Sequence, residues 1–119
     1  MQILKFGGAS IKDAINIKKV ATIVDSIDYS NTIIIVSAIG KTTNALENIV
    51  DLYLKNSNNL LNSINELHDF HIKIMDSLFI ESHQIYKIVR NDFQKIQDFL
   101  NNNKSPNYNF IYDQIIPYG

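Results

Sequence analysis

No cysteine occurs among the 119 residues. Disulfides, thiolate metal sites and a cysteine nucleophile are therefore excluded, and a reducing compartment is the better fit. An excess of charge of one sign is missing too. Eleven Lys and Arg against 12 Asp and Glu leave a formal net charge of −1, and without a basic field nucleic acid is not an expected partner. Behind Met1-Gln2-Ile3-Leu4-Lys5 there is no apolar stretch of the secretory kind. The longest unbroken apolar run, Ile33 to Val36, is far short of a bilayer span. A cytoplasmic location without a membrane partner is the expectation. Internal repeats are absent as well. What is present, 45% hydrophobic and 19% charged residues, suits about one folded globular domain and not a disordered tail.

Local patterning predicts an α/β start followed by helices. Gln2 to Phe6 reads as a short strand, broken by Gly7-Gly8. A helix is expected to begin near Ser10 to Asp13, because Ile17, Val20, Ala21 and Val24 recur at i, i+3, i+4 and i+7. Asp28 to Asn31 is a polar turn. Thr32 to Ser37 is β-branched without alternation, which predicts a strand buried on both faces. Strand, helix, strand within forty residues is a βαβ unit with parallel strands. Further helices are expected over Asn44–Leu54, Leu60–Phe79 and Ser82–Leu100, joined by polar linkers at Asn56–Asn59 and Asn101–Pro106. The ending Ile115-Ile116-Pro117-Tyr118-Gly119 is apolar and reads as exposed, without the polar taper of a free terminus. A fragment of a longer chain, with an open sheet edge, is expected on that ground.

Small and polar residues concentrate in the two loops that leave the C-terminal ends of the strands, the edge at which open α/β sheets bind ligands. In the first loop, Lys5-Phe6-Gly7-Gly8-Ala9-Ser10, two glycines let backbone N–H groups approach an anion, and a following helix would add a favourable field. An ordinary tight turn with a solvated lysine is the rival reading. The second loop is Val36-Ser37-Ala38-Ile39-Gly40-Lys41-Thr42-Thr43-Asn44. It offers hydroxyls and an amide to a small polar substrate. Thr42 or Thr43 could equally cap the next helix, with Glu47 in its first turn. Neither loop is a dinucleotide fingerprint, since G-x-G-x-x-G is missing. Gly40-Lys41-Thr42 is not a Walker A loop, because Ile35 stands where that motif needs glycine.

Taken together, the two loops resemble the aspartate kinase branch of the amino-acid kinase family. The opening is similar to the family's Lys-Phe-Gly-Gly-Thr-Ser, and Val36-Ser37-Ala38 with Thr43-Asn44 is similar to its second signature. Asp113 to Gly119 also looks like the segment that in the family leads into a Gly-Glu pair. The resemblance implies a three-layer α/β/α sandwich of the amino-acid kinase type, of which residues 1–119 would be the N-terminal portion. A nucleotide-binding half and regulatory ACT domains would lie outside it. It implies transfer of the ATP γ-phosphoryl group to the side-chain carboxylate of L-aspartate, with Mg2+ bridging the nucleotide phosphates. Lys5 would neutralise the transferring group, and Phe6, Gly7, Gly8 and Ser10 would line the phosphates. Ser37, Thr43 and Asn44 would contact aspartate. The full-length enzyme would be a homo-oligomer, and the fragment alone would be inactive. Ala9 departs from the family threonine and removes a hydroxyl beside the phosphates. Glutamate or acetylglutamate kinase activity is one alternative, and a non-catalytic module that kept the βαβ unit is another. His68 and His71, at i, i+3 beside Asp69, could chelate a metal but read as residues of a helix face.

Overall fold

The computed structural model describes residues 1–119 throughout, apart from the side chain of Tyr29. The chain divides into two compact units, residues 1–42 with Gly119, and residues 43–118.

In the first unit, β1 (Gln2–Phe6) and β2 (Thr32–Val36) pair in parallel, with Gln2 opposite Thr32 and Phe6 opposite Val36. Between them run a 3₁₀ turn (Gly8–Ile11), helix α1 (Ala14–Asp25) and a second 3₁₀ turn (Tyr29–Asn31). Helix α1 starts where Asp13 can cap it: the carboxylate accepts the Asn16 backbone N–H at 2.9 Å. Asn16 also donates its side-chain amide to the same oxygen at 2.6 Å. These bonds, backbone first, hold the Asp13 carboxyl below its ordinary value of 3.8. The apolar stripe predicted for α1 lies across a cavity of about 400 Å³ from Ile11, Val36 and Ile39.

β2 is not buried on both faces. In a parallel pair, residues in register share a face, so Ile3, Lys5, Ile33 and Ile35 stand together on one side. That side is open, with Ile3 62% and both Ile33 and Ile35 46% exposed. A run of β-branched residues reports what a strand tolerates. It does not report whether both covering layers lie within these residues.

The second unit is helical. Helices α2 (Thr42–Leu54, its first residue counted with the preceding unit), α3 (Leu60–Leu78), α4 (Ile85–Asn102) and α5 (Tyr108–Ile115) are followed by a 3₁₀ turn (Ile116–Tyr118). Their inward faces meet in one cluster: Leu46, Ile49 and Val50 of α2, Ile64 and Leu67 of α3, Ile96 and Leu100 of α4, and Ile111 and Ile115 of α5. The 3.6-residue periodicity of α3 and α4 is what brings these residues to one side.

The apolar ending is only partly packed: Ile115 closes helix α5 fully buried and Ile116 lies half-buried against the core, whereas Pro117, Tyr118 and Gly119 are exposed. Asn107 caps α5 through its side-chain oxygen, which accepts the Phe110 N–H at 2.9 Å. Ile111 and Ile115 are then completely buried. Asn103 fixes the approach to α5: its amide donates to the Tyr53 hydroxyl at 3.0 Å and to the Ser105 carbonyl at 2.8 Å.

Candidate functional site

Parallel pairing sends both strands out of the same sheet edge, so the two motif loops of the first unit emerge side by side. The ladder continues one step past the strands, where the Ser37 N–H donates to the Phe6 carbonyl at 3.0 Å. Beyond that point the loops touch. A Cβ placed on Gly8 would lie 2.5 Å from the Gly40 carbonyl oxygen and 3.4 Å from that of Ala38. The backbone of one loop therefore occupies the space that a side chain at residue 8 would need. Gly40 has φ 55°, a left-handed conformation that favours glycine. Thr42 closes the turn, donating its N–H at 3.0 Å and its hydroxyl at 2.6 Å to the Ile39 carbonyl.

Gly7 differs from Gly8. Its φ of −78° is open to any residue, and nothing lies within 4 Å of the position a Cβ would take. The packing around it does not demand glycine, and the backbone at residue 7 faces open space. Lys5, two residues earlier, is exposed and has no ion-pair partner among the described residues. Phe6 is half-buried, and Ser10 and Ser37 are exposed. The Ser37 hydroxyl donates to the Ala38 carbonyl at 2.9 Å.

Two local expectations change. The element directly behind the glycines is a single 3₁₀ turn, in which the Ser10 N–H donates to the Gly7 carbonyl at 3.0 Å. Helix α1 begins only at Ala14, and the Asp13 carboxylate already answers its N-terminal dipole. The helix field anticipated at Gly7-Gly8 is therefore spent elsewhere, and backbone N–H groups and Lys5 are the remaining anion-seeking features. In addition, α2 starts at Thr42 and not at Asn44, which moves Glu47 out of the first turn.

Thr43 and Asn44 lie in the second unit, exposed on the first turn of α2, and their side chains have no partner among the described residues. Glu47, one turn further on, is half-buried and accepts the Tyr112 hydroxyl of α5 at 3.2 Å. Sequence reasoning missed this pair because α5 was not anticipated. The available signal was Asn107 behind Pro106, a capping residue placed just ahead of an apolar pattern.

The histidines gather no metal site. His68 pairs with Asp69 at 3.1 Å, and the His71 Nδ1–H donates to the Leu67 carbonyl at 2.9 Å. Among the described residues no group of three or more His, Asp or Glu could hold an ion. Nor is any helix among them long and apolar enough to cross a membrane.

The family model for the amino acid kinase family matches residues 1–109, including both loops and most of the helical unit. The chain belongs to the amino acid kinase family. Within that family it is similar to Aspartokinase 2, chloroplastic, of Arabidopsis thaliana, at 32% identity over 88 residues, 71% of this chain. It is also similar to the Bifunctional aspartokinase/homoserine dehydrogenase of Buchnera aphidicola subsp. Acyrthosiphon pisum (strain APS), at 27% identity over 106 residues, 84% of this chain. The matched stretch spans 16% of the first relative and 13% of the second. For an amino acid kinase, a parallel pair that presents a glycine loop at its edge, followed by helices, is the expected opening.

Proposed function

We propose that these residues serve an aspartate kinase, forming an N-terminal portion of its catalytic domain and supplying one edge of its phosphoryl-transfer site. The reaction joins a side-chain carboxylate oxygen of L-aspartate to the γ-phosphorus of ATP. The bond from that phosphorus to the β,γ-bridging oxygen breaks, and ADP and 4-phospho-L-aspartate leave. Such a transfer asks for alignment and charge neutralisation more than for covalent help. The observation that carries the reading is the contrast at the glycine pair. Gly8 is required by the neighbouring loop, whereas Gly7 faces open space two residues from Lys5, which has no ion-pair partner among the described residues. A bare backbone where packing does not require one is what close approach of phosphate oxygens would need.

In this reading Lys5 neutralises the transferring group. Gly7 and Gly8 offer backbone N–H groups to phosphate oxygens, with Phe6 and Ser10 beside them. Ser37, Thr43 and Asn44 address aspartate. The two aspartokinase relatives favour aspartate among amino-acid substrates. Mg2+ belongs to the proposal as a companion of the nucleotide. Among the described residues no carboxylate cluster would hold it. Homo-oligomeric assembly and a cytoplasmic setting are parts of the same proposal.

The test is ADP release by the protein that carries this chain, measured with L-aspartate, L-glutamate and N-acetyl-L-glutamate in turn. Release that depends on aspartate and exceeds the other two is expected. A preference for either glutamate substrate would move the protein to another kinase of the family. No amino-acid-dependent ADP release with any of the three would favour a binding module.

A further inference from the structure

We propose that Glu47 and Tyr112 form a positioning pair that holds the first turn of α2, and with it Thr43 and Asn44, in register for the substrate carboxylate. The proposal rests on the reading of Thr43 given above. Among the described residues Thr43 and Asn44 have no side-chain partners, so the helix that bears them sets where their polar groups stand. A first helical turn is the part most prone to fraying, because its N–H groups lack intrahelical acceptors. In α2 Thr42 is buried and Ala45 packs on the core, but Thr43 and Asn44 between them are exposed, and the main packed stretch follows at Leu46, Ile49 and Val50. Glu47 sits at the junction. It is four residues from Thr43 and three from Asn44, and so on the same side of the helix.

Its partner is anchored independently. Tyr112 stands on α5 between Ile111 and Ile115, both fully buried, so the hydroxyl is presented from a helix that cannot turn without opening the core. The bond of 3.2 Å spans 65 positions of sequence and ties the start of α2 to a helix anchored in the core by Ile111 and Ile115. Consistent with a formed contact, the Tyr112 hydroxyl is pushed above its ordinary pKa, first by this bond to Glu47 and then by burial.

The experiment compares Tyr112→Phe, Glu47→Ala and Glu47→Gln in the protein that carries this chain, with Thr43→Val alongside. Tyr112→Phe is expected to speed hydrogen exchange over Thr43–Glu47. It should raise the KM for aspartate roughly tenfold, the scale of one hydrogen bond to a charged group, with the KM for ATP unmoved. Glu47→Ala should match it, the double variant should add little, and Glu47→Gln, which keeps an acceptor, should restore near-parent behaviour. Unchanged exchange over Thr43–Glu47 in Tyr112→Phe overturns the pair as a positioning device. A raised aspartate KM in Thr43→Val beside an unmoved one in Tyr112→Phe also overturns it while sparing Thr43. Unmoved aspartate KM values in both overturn the substrate role of Thr43 itself.

Discussion

The two units divide the work in opposite ways. Residues 43–118 bury a continuous nine-residue core drawn from four helices. Among the described residues, residues 1–42 bury only Ile11 and Thr42 to the same degree. Yet of the residues proposed above for the reaction, Lys5, the glycine pair and Ser37 lie in the first unit, and only Thr43 and Asn44 lie in the second. In the proposed function, stability and chemistry are thus concentrated in different places. Groups meant for a ligand must stay open and unpaired until it arrives, and open, unpaired groups add little to folding.

The largest stability effect that contrast predicts is in the helical core. Ile111→Ala removes a fully buried side chain and should destabilise the protein by about 2–5 kcal/mol, measured by urea unfolding. A change within error would mean that the cluster does not hold the second unit together. A smaller and sharper effect separates the glycines. Gly8→Ala puts a methyl group against the Gly40 backbone and should cost about 1–3 kcal/mol, as overpacking does. Gly7→Ala meets nothing, so stability should hold or rise slightly as the unfolded chain loses freedom, while the KM for ATP rises. Equal melting behaviour of the two variants would erase the distinction between a packing glycine and a ligand-facing one.

The smallest effect concerns Asp13. Its carboxyl is depressed, chiefly by the Asn16 backbone N–H. The stability it contributes is therefore present above its ordinary value of 3.8 and is lost as the pH falls through the lower folded value. Asp13→Ala should lower the melting temperature at pH 7, and the gap from the parent should close as the pH drops below 3.8. A gap independent of pH would remove the capping carboxylate as its cause.

The same division explains what the sequence alone made legible. Both strands and the helical stripes of α3 and α4 could be read because periodicity and β-branching are local signals. The kinship of Lys5-Phe6-Gly7-Gly8 and Ser37-Ala38 to a phosphoryl-transfer family could be read because it resides in contiguous residues. The openness of the Ile3, Ile33 and Ile35 face could not, since burial depends on what else packs there. Helix α5 was hidden by its shortness and by a polar approach that looked like linker. The Glu47–Tyr112 bond joins positions 65 apart, and no local pattern encodes such a contact. The separate reasons for Gly7 and Gly8 appear only when the neighbouring loop is in place.

Lys5→Met offers the most direct test of the central claim that the open edge of the first unit is the phosphate corner of a kinase. Lys5 is exposed and has no ion-pair partner among the described residues, so its loss should leave folding intact. Measured as aspartate-dependent ADP release by the protein that carries this chain, turnover should fall by about 10²–10³, the scale of losing one electrostatic contact to a transition state. Turnover near that of the parent, with an unchanged melting temperature, would make Lys5 a solvated surface lysine and contradict the account.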